Sequence, residues 1–174
     1  MSAPLPNEYA PLQASYVQAA SNRGDIVKLL SKLKDSTYDF LTQIPRGKAS
    51  FAYAEGKWTV KQVIGHLIDS ERIFAYRLLC FSRGEKKELP SFNQDEYVAA
   101  IDYEERSLKS LADEFKAVRE ANLYLYESLT DEQLQLTGSA NGYFMTVNAL
   151  LYIIAGHELH HIGILRDRYL QVLV

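Results

Sequence analysis

Gly156-His157-Glu158-Leu159-His160-His161-Ile162-Gly163 is the stretch on which the reading of this chain turns. Around it, Leu150, Ile154, His157, His161, Ile164 and Arg168 follow a heptad-like spacing. That spacing predicts a helix whose inward seam carries His157 and His161 directly after Leu150 and Ile154. Thr146 is placed to cap this helix, which should extend to about Leu170.

Further back, three more segments show the same period. Asp25 is a good N-cap for a helix reaching about Gln43, with Ile26, Leu29, Leu30, Leu33, Phe40 and Leu41 mostly three or four apart and Pro45 ending it. Thr59 and Gln62 form a capping-box pattern that starts a second helix running to about Arg83, with Gly84 beyond it. A third spans roughly Glu104 to Ser128. The polar connection 84–103 contains Pro90 and a short helix at Gln94 to Ile101, and it is long for neighbouring antiparallel helices. It predicts a crossover between the second and third helices. Thr130 with Gln133 suggests a further helical turn, and Asn141-Gly142 a tight turn. With no convincing strand pattern, the expected fold is all-α: a four-helix bundle over residues 25–174. Residues 1–24, with Pro4, Pro6 and Pro11, read as an N-terminal arm with a short helix from Leu12 to Ala20.

A chain of 174 residues is one domain on the usual prior, and 47% hydrophobic with 24% charged residues is ordinary for a globular protein. The net charge of −3 lacks the basic excess expected of a nucleic-acid-binding surface. Cys80 has no second cysteine to pair with, which fits a reducing compartment. The N-terminus has no basic-then-apolar leader pattern, and apolar runs such as 149–156 are too short to span a membrane. A cytoplasmic protein without membrane or nucleic-acid partners is the expectation.

His157-Glu158-Leu159-His160-His161 also reads as H-E-x-x-H, the zinc-peptidase pattern with glutamate as general base. His157 and His161 lie one turn apart on one face, within reach of a single ion, whereas His160 is rotated about 100° off that seam. Two inward imidazoles cost desolvation unless both find partners, and a shared cation satisfies both. Peptidases of this type take a third ligand from a downstream His or Glu. None follows His161 here, so the remaining histidine, His66 on the second helix, is the candidate. A His66/His157/His161 set leaves coordination positions open, as in catalytic centres. Asp69, Glu71 and Glu158 are the carboxylates available to orient a histidine or move a proton, with Glu71 read as the one more suited to a solvated helix face. Phe51, Tyr53, Trp58 and Tyr143 flank the loops entering the two histidine helices and read as bundle-end packing.

Two motifs carry a resemblance: the segment 56–72, with Gly56-Lys57-Trp58-Thr59 through Gly65-His66-Leu67-Ile68-Asp69-Ser70-Glu71-Arg72, and the segment 156–165 around the histidine cluster. Arg77, Leu89-Pro90-Ser91-Phe92 and Tyr97 lie between them in the same pattern. The chain resembles the DinB/YfiT-like family over roughly Ile26 to Tyr169. That resemblance implies a four-helix bundle with unusual connection order, a homodimer, and a divalent zinc or nickel ion on His66, His157 and His161. It also implies a metal-dependent enzyme of small electrophilic molecules: an S-transferase using a low-molecular-weight thiol such as bacillithiol, or a hydrolase, with Glu158 and Asp69 as candidate catalytic groups. A non-catalytic metal-binding stress-response protein and a zinc peptidase are the alternatives.

Overall fold

The computed structural model describes residues 1–170. Two short 3-10 turns, Pro6–Glu8 and Pro11–Gln13, lead into α1 (Ala14–Ser21). Helix α2 (Ile26–Gln43) starts where the Asp25 carboxylate accepts from Lys28 N at 3.0 Å. Helix α3 (Val60–Ser82) opens with a capping box: Thr59 Oγ1 accepts from Gln62 N at 3.2 Å, and Gln62 Oε1 accepts from Thr59 N at 2.8 Å. Then come α4 (Gln94–Ala99), capped by Asn93, and α5 (Leu108–Glu127), capped by Ser107. After α6 (Asp131–Leu134), strands β1 (Thr137–Ala140) and β2 (Tyr143–Thr146) precede α7 (Val147–Ile164). Thr146 caps α7 by accepting from Ala149 N at 2.9 Å, and the helix runs on as a π-helical turn, Leu165–Tyr169.

Helices α2, α3, α5 and α7 form a four-helix bundle. Both α2 and α3 pack on α5 and on α7, so α2 and α3 occupy diagonal corners. The contacts at the helix ends give the directions. Lys61 at the start of α3 meets Glu104 just before α5, and Gln133 just after α5 reaches the Ser82 carbonyl at the end of α3. Consequently α3 and α5 run parallel, and the connection from 83 to 107 must return along the length of the bundle. The crossover expected between the second and third long helices is therefore present. It is pinned to the hairpin by main-chain bonds from Leu89 N to Ser139 O and from Asn141 N to Leu89 O.

Two features depart from the sequence expectation. The β1–β2 hairpin, with Thr137 opposite Thr146 and Ala140 opposite Tyr143, was not expected. Its turn, Asn141-Gly142, has positive φ at both residues (55° and 73°), the geometry that matches hairpin twist. Helix α5 begins at Leu108, later than Glu104, because Ser107 takes the cap. The short helix read near the N-terminus corresponds to α1, in which Val17 and Ala20 are buried and which lies along α7. Gly156 allows this approach, since a side chain there would collide with the Tyr16 backbone.

Candidate metal centre

His66 lies in the second turn of α3, two turns below the Thr59 cap, while His157 and His161 lie one turn apart near the end of α7. Because α3 and α7 pack against each other, the seam positions face one another and the three imidazoles converge. Each offers one nitrogen such that all three lie within 4.8 Å of one another. His66 Nε2 and His157 Nε2 are 3.1 Å apart, and the ring centroids are separated by 4.5–5.0 Å. His160 is exposed and lies outside the three-nitrogen set, although its ring centroid is 5.1 Å from that of His161.

Burial leaves these imidazoles neutral. Desolvation lowers the pKa of His66 to about 4, against a small opposing pull from Asp95. His161 falls to about 3, through burial and then repulsion from His66 and His160, and His157 lies well below its ordinary value for the same reasons. One N–H···N bond between His66 and His157 uses a single donor and a single lone pair. Ser70 Oγ stands 3.5 Å from both nitrogens of His66, too far to hold either. Two nitrogens on one ion at ~2.0–2.1 Å would be separated by about 3.0 Å at a right angle and about 3.4 Å at a tetrahedral angle. The observed 3.1 Å falls between, and neutral imidazoles are nitrogen donors that a zinc-class cation takes.

Aromatic rings wall the cluster. Trp58 packs on His66 at 4.9 Å, and Tyr16 and Phe74 meet His157 edge-on at 5.6 and 5.4 Å. Beside His161 an open cleft of about 240 Å³ is lined by Tyr53, Lys57, Trp58, Asp95 and Tyr169. Tyr53 and Trp58, read from sequence as end packing, therefore border the cleft. Asp95 comes from α4 in the crossover, and nothing in its local pattern marks it as part of a site.

The other carboxylates lie elsewhere. Glu158 is fully buried, but on the α2/α5 side: it accepts from Thr37 Oγ1 at 2.5 Å, and Arg119 Nη1 stands 2.8 Å from its Oε2. That contact is an ion pair off the hydrogen-bonding direction, since Nη1 donates instead to the Leu30 carbonyl at 3.3 Å. Glu71, expected on a solvated face, is instead buried. It takes Arg119 Nε and Nη2 at 2.7 and 2.8 Å, Tyr126 Oη at 3.0 Å and Asn122 Nδ2 at 3.1 Å. Burial opposes the Glu71 charge, but Arg119 and these donors outweigh it and hold its pKa low. For Glu158 burial prevails and its pKa is raised. Asp69 is half-buried and raised by desolvation, and the charges it feels are those of Arg72 and Glu114. Arg119 was missed from the sequence. The available signal was a charge interrupting the apolar stripe between Phe115 and Tyr126, with Glu71 interrupting the stripe between Ile64 and Leu78.

Comparison with known proteins agrees with this geometry. The sequence is 29% identical over 119 residues to a candidate metal-dependent hydrolase of Oceanobacillus iheyensis, covering 66% of each chain, just under two thirds of the relative's own length. It is 25% identical over 138 residues to a second such candidate from Halalkalibacterium halodurans, covering 79% of this chain and 80% of the other. Among solved structures, YfiT from Bacillus subtilis, described as a probable metal-dependent hydrolase with an unusual four-helix bundle topology, superposes with a TM-score of 0.71. That match has 18% identity over 79% of this chain and 80% of the other. A DinB-like protein from the same organism gives a TM-score of 0.59 at 23% identity, covering 84% and 91%. The profile of the DinB superfamily matches residues 20–165, and the chain belongs to that superfamily.

Proposed function

We propose that this protein is a metal-dependent enzyme of small electrophilic molecules, a hydrolase or a thiol-dependent S-transferase, with His66, His157 and His161 as ligands of a zinc or nickel ion. The observation that carries the reading is the set of three buried, neutral imidazoles converging beside an open cleft. A divalent cation held there supplies a Lewis acid that lowers the pKa of water or of a thiol towards neutrality. The protein's own part is orientation and proton handling. Trp58, Tyr16 and Phe74 fix the imidazole planes, while Tyr53, Trp58 and Tyr169 give the cleft apolar walls for a small molecule. Asp95, on the cleft wall and acting electrostatically on His66, is the carboxylate placed to accept a proton. In this reading Glu158 holds helices together, which counts against the peptidase alternative. The cleft beside His161 counts against a purely non-catalytic metal protein.

A panel of small esters, lactones, epoxides and alkyl halides, each with water alone and with bacillithiol, mycothiol or glutathione, tests the proposal. Turnover is expected with zinc or nickel and lost with chelator. An absence of metal-dependent turnover across the panel would count against catalysis.

A further inference from the structure

Arg77 is the second deeply buried guanidinium of the bundle, only 8% exposed, and it lacks what the first one has. Arg119 is held by two carboxylates, but among the described residues Arg77 has no carboxylate within ion-pair distance. One donor is used, from Nη2 to the Pro90 carbonyl at 2.8 Å, and the guanidinium lies 6.0 Å from the Phe92 ring. Burial pulls its pKa below the ordinary arginine value. A buried cation without a counter-charge is costly and is ordinarily paired.

The remaining N–H groups of Arg77 are not sealed in. The buried side-chain atoms lacking any partner among the described residues are Tyr103 Oη, Asn148 Oδ1 and Glu158 Oε2, with no Arg77 nitrogen among them. Arg77 instead lines a cavity of about 160 Å³ between α1, α3, α7 and the hairpin. None of the residues lining it is acidic. Most of the remaining lining is apolar, Met145, Leu150 and Ile153 among it, and Asn141 also lines the cavity. The volume is close to the ~150 Å³ of an engineered apolar cavity that holds benzene. One guanidinium fork matches one carboxylate in charge and geometry, whereas a phosphate dianion would be left half-neutralised.

We propose that this cavity binds a small carboxylate, its oxygens on the Arg77 fork and its apolar body, up to one aromatic ring in size, against Met145, Leu150 and Ile153. Tyr16 and Phe74 border the cavity and also pack on His157, so the occupant sits one aromatic layer from the histidine cluster. The site stands on its own, whether or not that cluster is catalytic.

Benzoate is the probe, with benzyl alcohol as its neutral counterpart and inorganic phosphate as the alternative anion, titrated into the full chain by calorimetry and NMR. Saturable benzoate binding is expected, at least about tenfold tighter than either comparator, with a shift of the Arg77 Nε–Hε resonance. Arg77→Met should lose at least about tenfold in benzoate affinity, and Arg77→Lys should fall between, keeping charge but not the fork. Should Arg77→Met not fold, the wild-type comparison and the arginine resonance decide alone. Equal affinity for benzoate and benzyl alcohol, preference for phosphate, no binding at roughly 10 mM, or undiminished binding by folded Arg77→Met would each overturn the proposal.

Discussion

Two buried polar clusters share helices α3 and α7 and are satisfied in opposite ways. On the α2/α5 side, Glu71, Arg119 and Glu158 hold charge against charge, with Thr37, Asn122 and Tyr126 filling further hydrogen-bonding positions. On the other side, His66, His157 and His161 carry no charge and have almost no protein partners, but bring one nitrogen each within 4.8 Å of the others. The first cluster is neutralised largely from within, with Glu158 Oε2 its one acceptor lacking a hydrogen bond among the described residues. The second offers three nitrogens that a single cation could share. Adjacent residues of the H-E-x-x-H motif thus serve different ends, His157 in the open cluster and Glu158 in the closed one.

The closed cluster depends most on Arg119. Removing one partner of a buried ion network strands the others, so Arg119→Ala should lower folding stability by about 3–5 kcal/mol, read as a fall in the urea midpoint. Arg119→Met with Glu71→Gln and Glu158→Gln together should recover much of that loss, because no charge is then left unpaired. A loss under about 1 kcal/mol for Arg119→Ala would show that the closed cluster does not hold the helices.

The sequence made the open cluster legible and hid the closed one. His157 and His161 lie four apart on a recognisable seam, and histidine is scarce enough that His66 was the single remaining candidate. Helix starts at Asp25, Thr59 and Thr146 were readable because capping side chains act locally. A charged residue on an apolar stripe, such as Glu71 or Arg119, looks the same whether it meets solvent or an opposite charge 48 residues away in sequence. The partner is a tertiary fact. The hairpin was hidden similarly: Thr137-Gly138-Ser139-Ala140 has no apolar alternation, and its pairing depends on Leu89 and the long crossover. Asp95 reaches the cleft through that same crossover.

The clusters also separate by pH. In metal-free protein the folded pKa values of His66 and His161 are about 4 and about 3, against an ordinary 6.5. As pH falls below that ordinary value, the unfolded chain binds these protons first. Stability should therefore be full above pH 6.5 and decline as the pH falls towards 4 and 3. Urea midpoints measured across this range in chelator should show the decline, and His66→Gln should flatten its upper part. An unchanged slope in that variant would mean the imidazole is not buried as described. Smaller than the loss at Arg119 is that of Thr59→Ala, which removes the α3 cap and should cost about 1 kcal/mol without altering metal stoichiometry.

If the three histidines alone form the metal centre, elemental analysis should find metal content following those residues and no others. Purified protein is loaded with zinc or nickel, desalted and assayed for metal. The wild type, His160→Ala and Glu158→Gln should each retain about one equivalent, while His66→Ala, His157→Ala and His161→Ala should retain almost none. Full retention by folded His66→Ala, or loss by folded Glu158→Gln, would contradict the account.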